Sequence, residues 1–202
     1  DVYKRQHPNY VKELLRYIIT DLKRFRIIRG DDTLGGMVIC ETSEQARRLF
    51  AYFDEIQNEL NKDASSKSHF KVGLILYDSD DKDTRENVIT DFKDNFKVDM
   101  LIVYNMLLTG FDAPRLKRLY FGRKLRDHNL LQAITRVNRP YKNNRYGYII
   151  DFADIKKNFD ETNAAYLAEL NKFNDPDEVG EGNEANIFAQ VMEDPAELIQ
   201  RM

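Results

Sequence analysis

The sequence predicts an α/β fold: a parallel sheet sandwiched by helices, with a mostly helical or irregular C-terminal extension. Two observations carry this reading. Short, unbroken apolar runs recur along the chain, the pattern of strands buried on both faces. Nearly every run is followed by a stretch whose apolar residues repeat at helical spacing, so strands and helices alternate. At 202 residues, the chain is long enough for one sizeable core.

The elements follow in order. "NYVKELLRYIITDLKRF" is expected to form a helix within a lead-in, residues 1–34, that packs on the sheet or its neighbour. "GMVIC" (Gly36–Cys40) is the first strand. The helix after it has apolar positions at Ala46, Leu49, Phe50, Phe53 and Ile56, with Ser43 as N-cap. "KVGLILY" (Lys71–Tyr77) is the second strand. "DKDTRENVITDFKDNF" is an amphipathic helix with Val88, Ile89, Phe92 and Phe96 on one side. "VDMLIVY" (Val98–Tyr104) is the third and most apolar strand, and "RLKRLYFG" a short fourth. "DHNLLQAITRVNR" is a helix, "YGYIIDF" the fifth strand, and "DIKKNFDETNAAYLAEL" a closing helix. These make one unit over residues 35–170. Residues 171–202 read as an acidic linker and the start of a helical extension, "IFAQVMEDPAELIQRM" suiting one or two short helices. The opening "DVYKRQHPNY", without an initiator methionine, suggests a piece of a longer chain.

Composition limits the functional classes. The single cysteine, Cys40, permits no internal disulfide and fits a reducing cytoplasm. No apolar run spans a bilayer and no signal-peptide pattern opens the chain, so no membrane partner is expected. His7, His69 and His128 lack metal-ligand spacing, so no metal site is expected. The net charge of −3 conceals an asymmetry: from Ala113 to Tyr146 ten basic residues stand against one acid, Asp127. From Asp151 onward 13 acids stand against 4 bases. The basic block suggests a polyanion site, for nucleic acid or nucleotide phosphate; alternatively, the two blocks neutralise each other across the fold.

Three stretches could carry chemistry. In "DHNLLQAITRVNRP", Leu130, Ile134 and Val137 make one apolar stripe; Gln132, Arg136 and Arg139 repeat the same spacing on the opposite side. Pro140 disfavours helical geometry at Arg139, which can then reach past the helix end. Two forked guanidiniums in a row suit phosphate oxygens, although a solvated polar face looks the same. In "YNMLLTGFDAPRL", Thr109 and Gly110 are expected off the carboxyl end of the third strand, where ligands of parallel sheets sit, and Asp112 could accept from a ribose hydroxyl. An ordinary turn would also want that glycine. Thr42 and Ser43 stand at a strand-to-helix junction, where backbone N–H groups favour a phosphate and where a plain N-cap is equally at home.

The order "MVICETS", "VDMLIVYNMLLTGFDAP" and "NLLQAITRVNRPY" resembles motifs IV, V and VI of superfamily-two helicases and translocases. More narrowly, "MLLTGFDAP" with "QAITRVNR" resembles the restriction (R) subunit of type I restriction–modification enzymes, in its second RecA-like motor domain. Thr135 stands where glycine is common in the wider superfamily; it and Asn138 match the restriction-subunit variant. The resemblance implies a RecA-like sheet and an ATP-dependent DNA translocase and endonuclease. It implies that Arg136 and Arg139 reach the γ-phosphate of ATP, the latter as arginine finger, and that Gly110, Asp112 and Gln132 line the nucleotide cleft. It implies that Thr42, Ser43 and Thr109 touch the nucleic-acid backbone. The implied partners are double-stranded DNA, the first RecA-like domain of the parent chain, and the modification and specificity subunits. ATP and Mg²⁺ would be held mainly by that first domain: no G-x-x-x-x-G-K-[ST] loop, acidic Walker-B box or nuclease constellation occurs here, so the segment alone should be inactive. A non-catalytic DNA-binding or docking module is the other reading. A dinucleotide enzyme would need G-x-G-x-x-G, which is absent, and Cys40 in a strand reads as a core residue.

Overall fold

The computed structural model describes residues 7–62, 64, 67, 69–76, 81–104, 111–123, 127–152 and 192–193. Its elements are α1 (Pro8–Arg29), β1 (Gly35–Ile39), α2 (Ser43–Lys62), β2 (Val72–Leu76), α3 (Lys82–Lys93), β3 (Met100–Tyr104), β4 (Leu116–Phe121), α4 (Asp127–Val137), β5 (Tyr148–Asp151) and β6 (Met192–Glu193). The sheet runs β2-β3-β1-β4-β5-β6 and every pair is parallel. The β6 pair lies in a stretch whose spacing suggested short helices; the closing helix expected over "DIKKNFDETNAAYLAEL" lies outside the described residues.

Alternation along the strands divides the core between two faces. Met37, Ile39, Leu101, Val103, Leu119 and Phe121 point to one, where Phe92 of α3 and Leu130, Ala133, Ile134 and Val137 of α4 cover them. Val38, Cys40, Met100, Ile102 and Tyr120 point to the other, under the apolar sides of α1 and α2. The lead-in helix α1 is therefore part of the core. Its stop is encoded: Gly30 takes the left-handed conformation at φ 61°, where a side chain would be strained, and its N–H closes onto the last turn.

Two aromatic residues depart from the expected faces. Phe50 is 42% exposed on the flank of α2. Phe96 lies beyond the end of α3 at φ 55° and stacks over the Arg115 guanidinium, 4.8 Å from its ring centre.

The basic block divides: among its described residues, three cations are buried at the heart of the fold. Arg115, 2% exposed, donates through Nε to the Thr33 carbonyl at 2.6 Å and through Nη1 to the Val98 carbonyl at 2.9 Å and to the Phe92 carbonyl. Burial lowers its pKa to about 10. Arg118 grips Asp21 of α1 with two bonds, 3.0 and 2.7 Å, and Tyr120 donates to the same carboxylate at 2.7 Å. Lys117 is fully buried beneath α4. These charges serve packing, and Arg118 pairs with Asp21 of α1. Burial also pushes the Cys40 thiol far up, which removes it as a nucleophile.

The candidate nucleotide and nucleic-acid faces

β4 and α4 form an antiparallel return. β4 ends at Phe121, α4 starts six residues later, and its last turn comes back over the amino end of β4, where Lys117 Nζ meets the Val137 and Arg139 carbonyls. The apolar stripe of Leu130, Ile134 and Val137 is buried on the sheet. Gln132, Arg136 and Arg139 are all only partly covered. The two-sided reading of this helix therefore holds at these positions.

Both arginines converge on one segment. Arg136 Nη1 donates to the Phe111 carbonyl, and Arg139 Nη1 pairs with Asp112 Oδ1. The Phe111 ring is buried in the core, so this carbonyl is a fixed acceptor. Asp112 and Arg139 remain open to solvent, their side chains 52% and 41% exposed. Thr135, in place of the common glycine, turns its hydroxyl back to the Gln132 carbonyl at 3.0 Å and leaves the row undisturbed. Beyond the helix, Lys142 ties the next turn to the loop before β1, reaching Asp31 at 3.1 Å and Thr33 at 2.8 Å.

Asp112 thus lies four residues before β4, on the path that carries the chain from the carboxyl end of β3 to the amino end of β4. The carboxyl ends of the strands are where the sequence places Thr109 and Gly110. Thr42 and Ser43 do lie there, directly after β1, and Thr109 and Gly110 lie outside the described residues. The sequence-derived residues therefore fall into two groups: Asp112, Gln132, Arg136 and Arg139 around the last turns of α4, and Thr42 with Ser43 at the carboxyl end of the central strand. Thr42, not Ser43, caps α2: its Oγ1 accepts from the Gln45 N–H at 3.1 Å, while Gln45 Oε1 accepts from the Glu41 N–H at 2.9 Å. Next to it, Gly122 donates its N–H to the Ile39 carbonyl at 2.8 Å, between two strands whose helices leave to opposite faces of the sheet, where open sheets keep their crevice.

Sequence reasoning missed Lys117, Gly147 and Phe111. Period-two counting along "LKRLYF" would have found Lys117, because it shares a face with Leu119 and Phe121. Among the described residues, no three His, Cys, Asp or Glu side chains gather as a metal set, and no helix is long and apolar enough to cross a membrane.

Residues 70–154, from β2 through β5, match the family described as type I restriction enzyme subunit R domain 3. The type I restriction enzyme SauCOLORF180P endonuclease subunit of Staphylococcus aureus is 31% identical over 153 residues, covering 67% of this chain and 16% of that protein. The MjaVIIP endonuclease subunit of Methanocaldococcus jannaschii is 37% identical over 124 residues, covering 61% of this chain and 10% of that protein. The chain thus spans less than a fifth of the length of either relative. Among solved structures, domain 2 of the DEAD-box helicase Mss116p aligns with TM-score 0.49 at 15% identity, over 71% of this chain and 50% of that one. On its matched region, the chain belongs to the type I restriction enzyme R subunits, at the part their family describes as domain 3.

Proposed function

We propose that this chain is the C-terminal motor-domain segment of an ATP-dependent DNA translocase and endonuclease subunit, and that it supplies one half of a split ATP site. The convergence of Arg136 and Arg139 on Phe111 and Asp112 supports the reading most directly. Two guanidiniums are held side by side at a partly open rim, one on a backbone carbonyl and one on an exposed carboxylate.

An exposed ion pair of this kind contributes only about 0–1 kcal/mol, so a triphosphate can take Arg139 from Asp112 at little cost. The fixed Phe111 carbonyl keeps Arg136 in place beside it. Phosphoryl transfer depends on positioning and on neutralising charge over the transferred group, which is what forked donors offer. A trans arginine contributes about 10³–10⁵ in rate, or roughly 4–7 kcal/mol of barrier. Gln132 and Gly110 line the cleft. Asp112, once released, accepts from a ribose hydroxyl. The first RecA-like domain of the parent chain holds ATP and its Mg²⁺, which neutralises the phosphates; this segment by itself does not turn ATP over.

The second group faces DNA. Thr42 and Ser43, at the carboxyl end of the sheet, bind backbone phosphates of the duplex, and Thr109 shares that role, without reading sequence, so this contact weakens with salt. Separating the two groups lets cleft closure on ATP shift the grip on DNA. The modification and specificity subunits complete the assembly in the cytoplasm.

The test is Arg139→Ala in the full-length subunit. ATP turnover should fall by about 10³-fold or more while ATP binding survives. Near-normal turnover overturns the trans-arginine role and leaves a non-catalytic DNA-binding or docking module as the better reading.

A further inference from the structure

Lys117 is an unusual group to find where it is. It lies on β4 between Leu116 and Arg118, is 0% exposed, and its face of the sheet is otherwise apolar. Among the described residues, it donates to two backbone carbonyls, those of Val137 at 3.5 Å and of Arg139. The first is the last residue of α4 and the second lies two residues beyond it, at the end where carbonyls lack intrahelical partners and the helix dipole is negative. Gly147, just before β5, closes the same end from the other side: a Cβ there would collide with the Val137 side chain and carbonyl. So two strands build a socket around the residues that carry the arginine row.

We infer that Lys117 is a positioning residue for the Arg136–Arg139 pair, its buried ammonium fixing the last turn of α4 so that both guanidiniums are presented at the rim. The inference rests on the proposed trans-arginine role. Stability does not explain the lysine, because an apolar side chain of similar length in that place would avoid the burial of a charge. A cation is needed there only if the peptide units after Val137, which no longer belong to the helix, must be held in one orientation. Arg139 is one of them, and Pro140 has already removed the helical continuation that would otherwise hold it.

The ammonium's charge also makes the device titratable. Burial lowers its pKa to about 8. Among the described residues, its face of the sheet carries the carbonyls named above and apolar side chains; of the charged groups on β4 and at the end of α4, Arg118 turns to the opposite face onto Asp21, and Arg136 with Arg139 stands at the rim. As pH rises through about 8 the amine keeps donors but loses its attraction to the helix end.

The experiment compares the full-length subunit with its Lys117→Met, Lys117→Arg and Arg139→Ala variants, measuring steady-state ATP turnover across pH and thermal unfolding. In Lys117→Met, kcat should fall about 10- to 100-fold, the scale of a misplaced positioning contact, with KM for ATP within about twofold and no loss of melting temperature. Lys117→Arg should restore kcat in part relative to Lys117→Met and move the loss of turnover expected above pH 8 in the wild type upward, since a guanidinium stays charged. Wild-type kcat in Lys117→Met overturns the inference, and so does an unshifted alkaline limb in Lys117→Arg, which decides the matter alone if the methionine variant does not fold. Loss of activity in Arg139→Ala beside an unaffected Lys117→Met removes this inference but not the trans-arginine reading. Normal activity in Arg139→Ala removes both.

Discussion

Arg139 and Asp112 form an ion pair across the rim between the end of α4 and the segment leading into β4, and both side chains stay substantially exposed. That combination gives contact without much commitment. Asp112→Ala should change unfolding free energy by less than about 1 kcal/mol in a urea titration. A loss above about 3 kcal/mol would make the pair a structural clamp and would count against its exchange for a nucleotide.

The opposite holds for Asp21. Its carboxylate takes two bonds from Arg118 and one from Tyr120, and the Arg118 and Asp21 side chains are only 6% and 10% exposed. Asp21→Ala strands a guanidinium and a hydroxyl inside the fold. The expected cost is about 3–5 kcal/mol, read as a lower urea midpoint. Combining it with Arg118→Met should recover part of that loss; no recovery would show that the pair is not a closed unit.

Arg115 satisfies three carbonyls from three segments, and Phe92 and Phe96 lie over it at 4.7 and 4.8 Å. Arg115→Met leaves those acceptors without their donor. Each buried unsatisfied carbonyl costs about 1–3 kcal/mol, so a loss of more than about 3 kcal/mol is expected in chemical denaturation. A variant within about 1 kcal/mol of wild type would show that water replaces the guanidinium.

Lys117 links stability to pH. Its folded pKa, about 8, lies below the ordinary 10.5 that the unfolded chain restores. The unfolded state therefore binds more protons between those values, and stability rises as pH goes from about 8 toward 10.5. The difference in melting temperature between wild type and Lys117→Met should move in the wild type's favour over that window. A pH-independent difference would place the amine's folded pKa near its usual value.

How much of this was legible beforehand depended on what periodicity can encode. Strands buried on both faces keep unbroken apolar runs whatever surrounds them, so the parallel sheet and its helices were visible. The row of Gln132, Arg136 and Arg139 was visible for the same reason, because Leu130, Ile134 and Val137 fixed which side of α4 is buried. The path of the chain between β3 and β4 is not periodic, so where Asp112 falls relative to the strand ends was not legible. Net charge is a coarser guide: counting cations along residues 113–146 takes no account of strand alternation, which turns Lys117 and Arg118 inward to opposite faces. Phe50 and Phe96 were read as core because helical spacing was extended past where burial stops. Thr109 and Gly110 stay an expectation from sequence alone.

The buried thiol of Cys40 has a practical consequence. It is the chain's only cysteine and sits beside the central strand, covered completely. A maleimide dye should therefore ignore the native domain and react only with a cysteine introduced at the surface, such as at Tyr146. Any slow labelling of the unaltered chain would then clock how often the middle of the sheet comes apart.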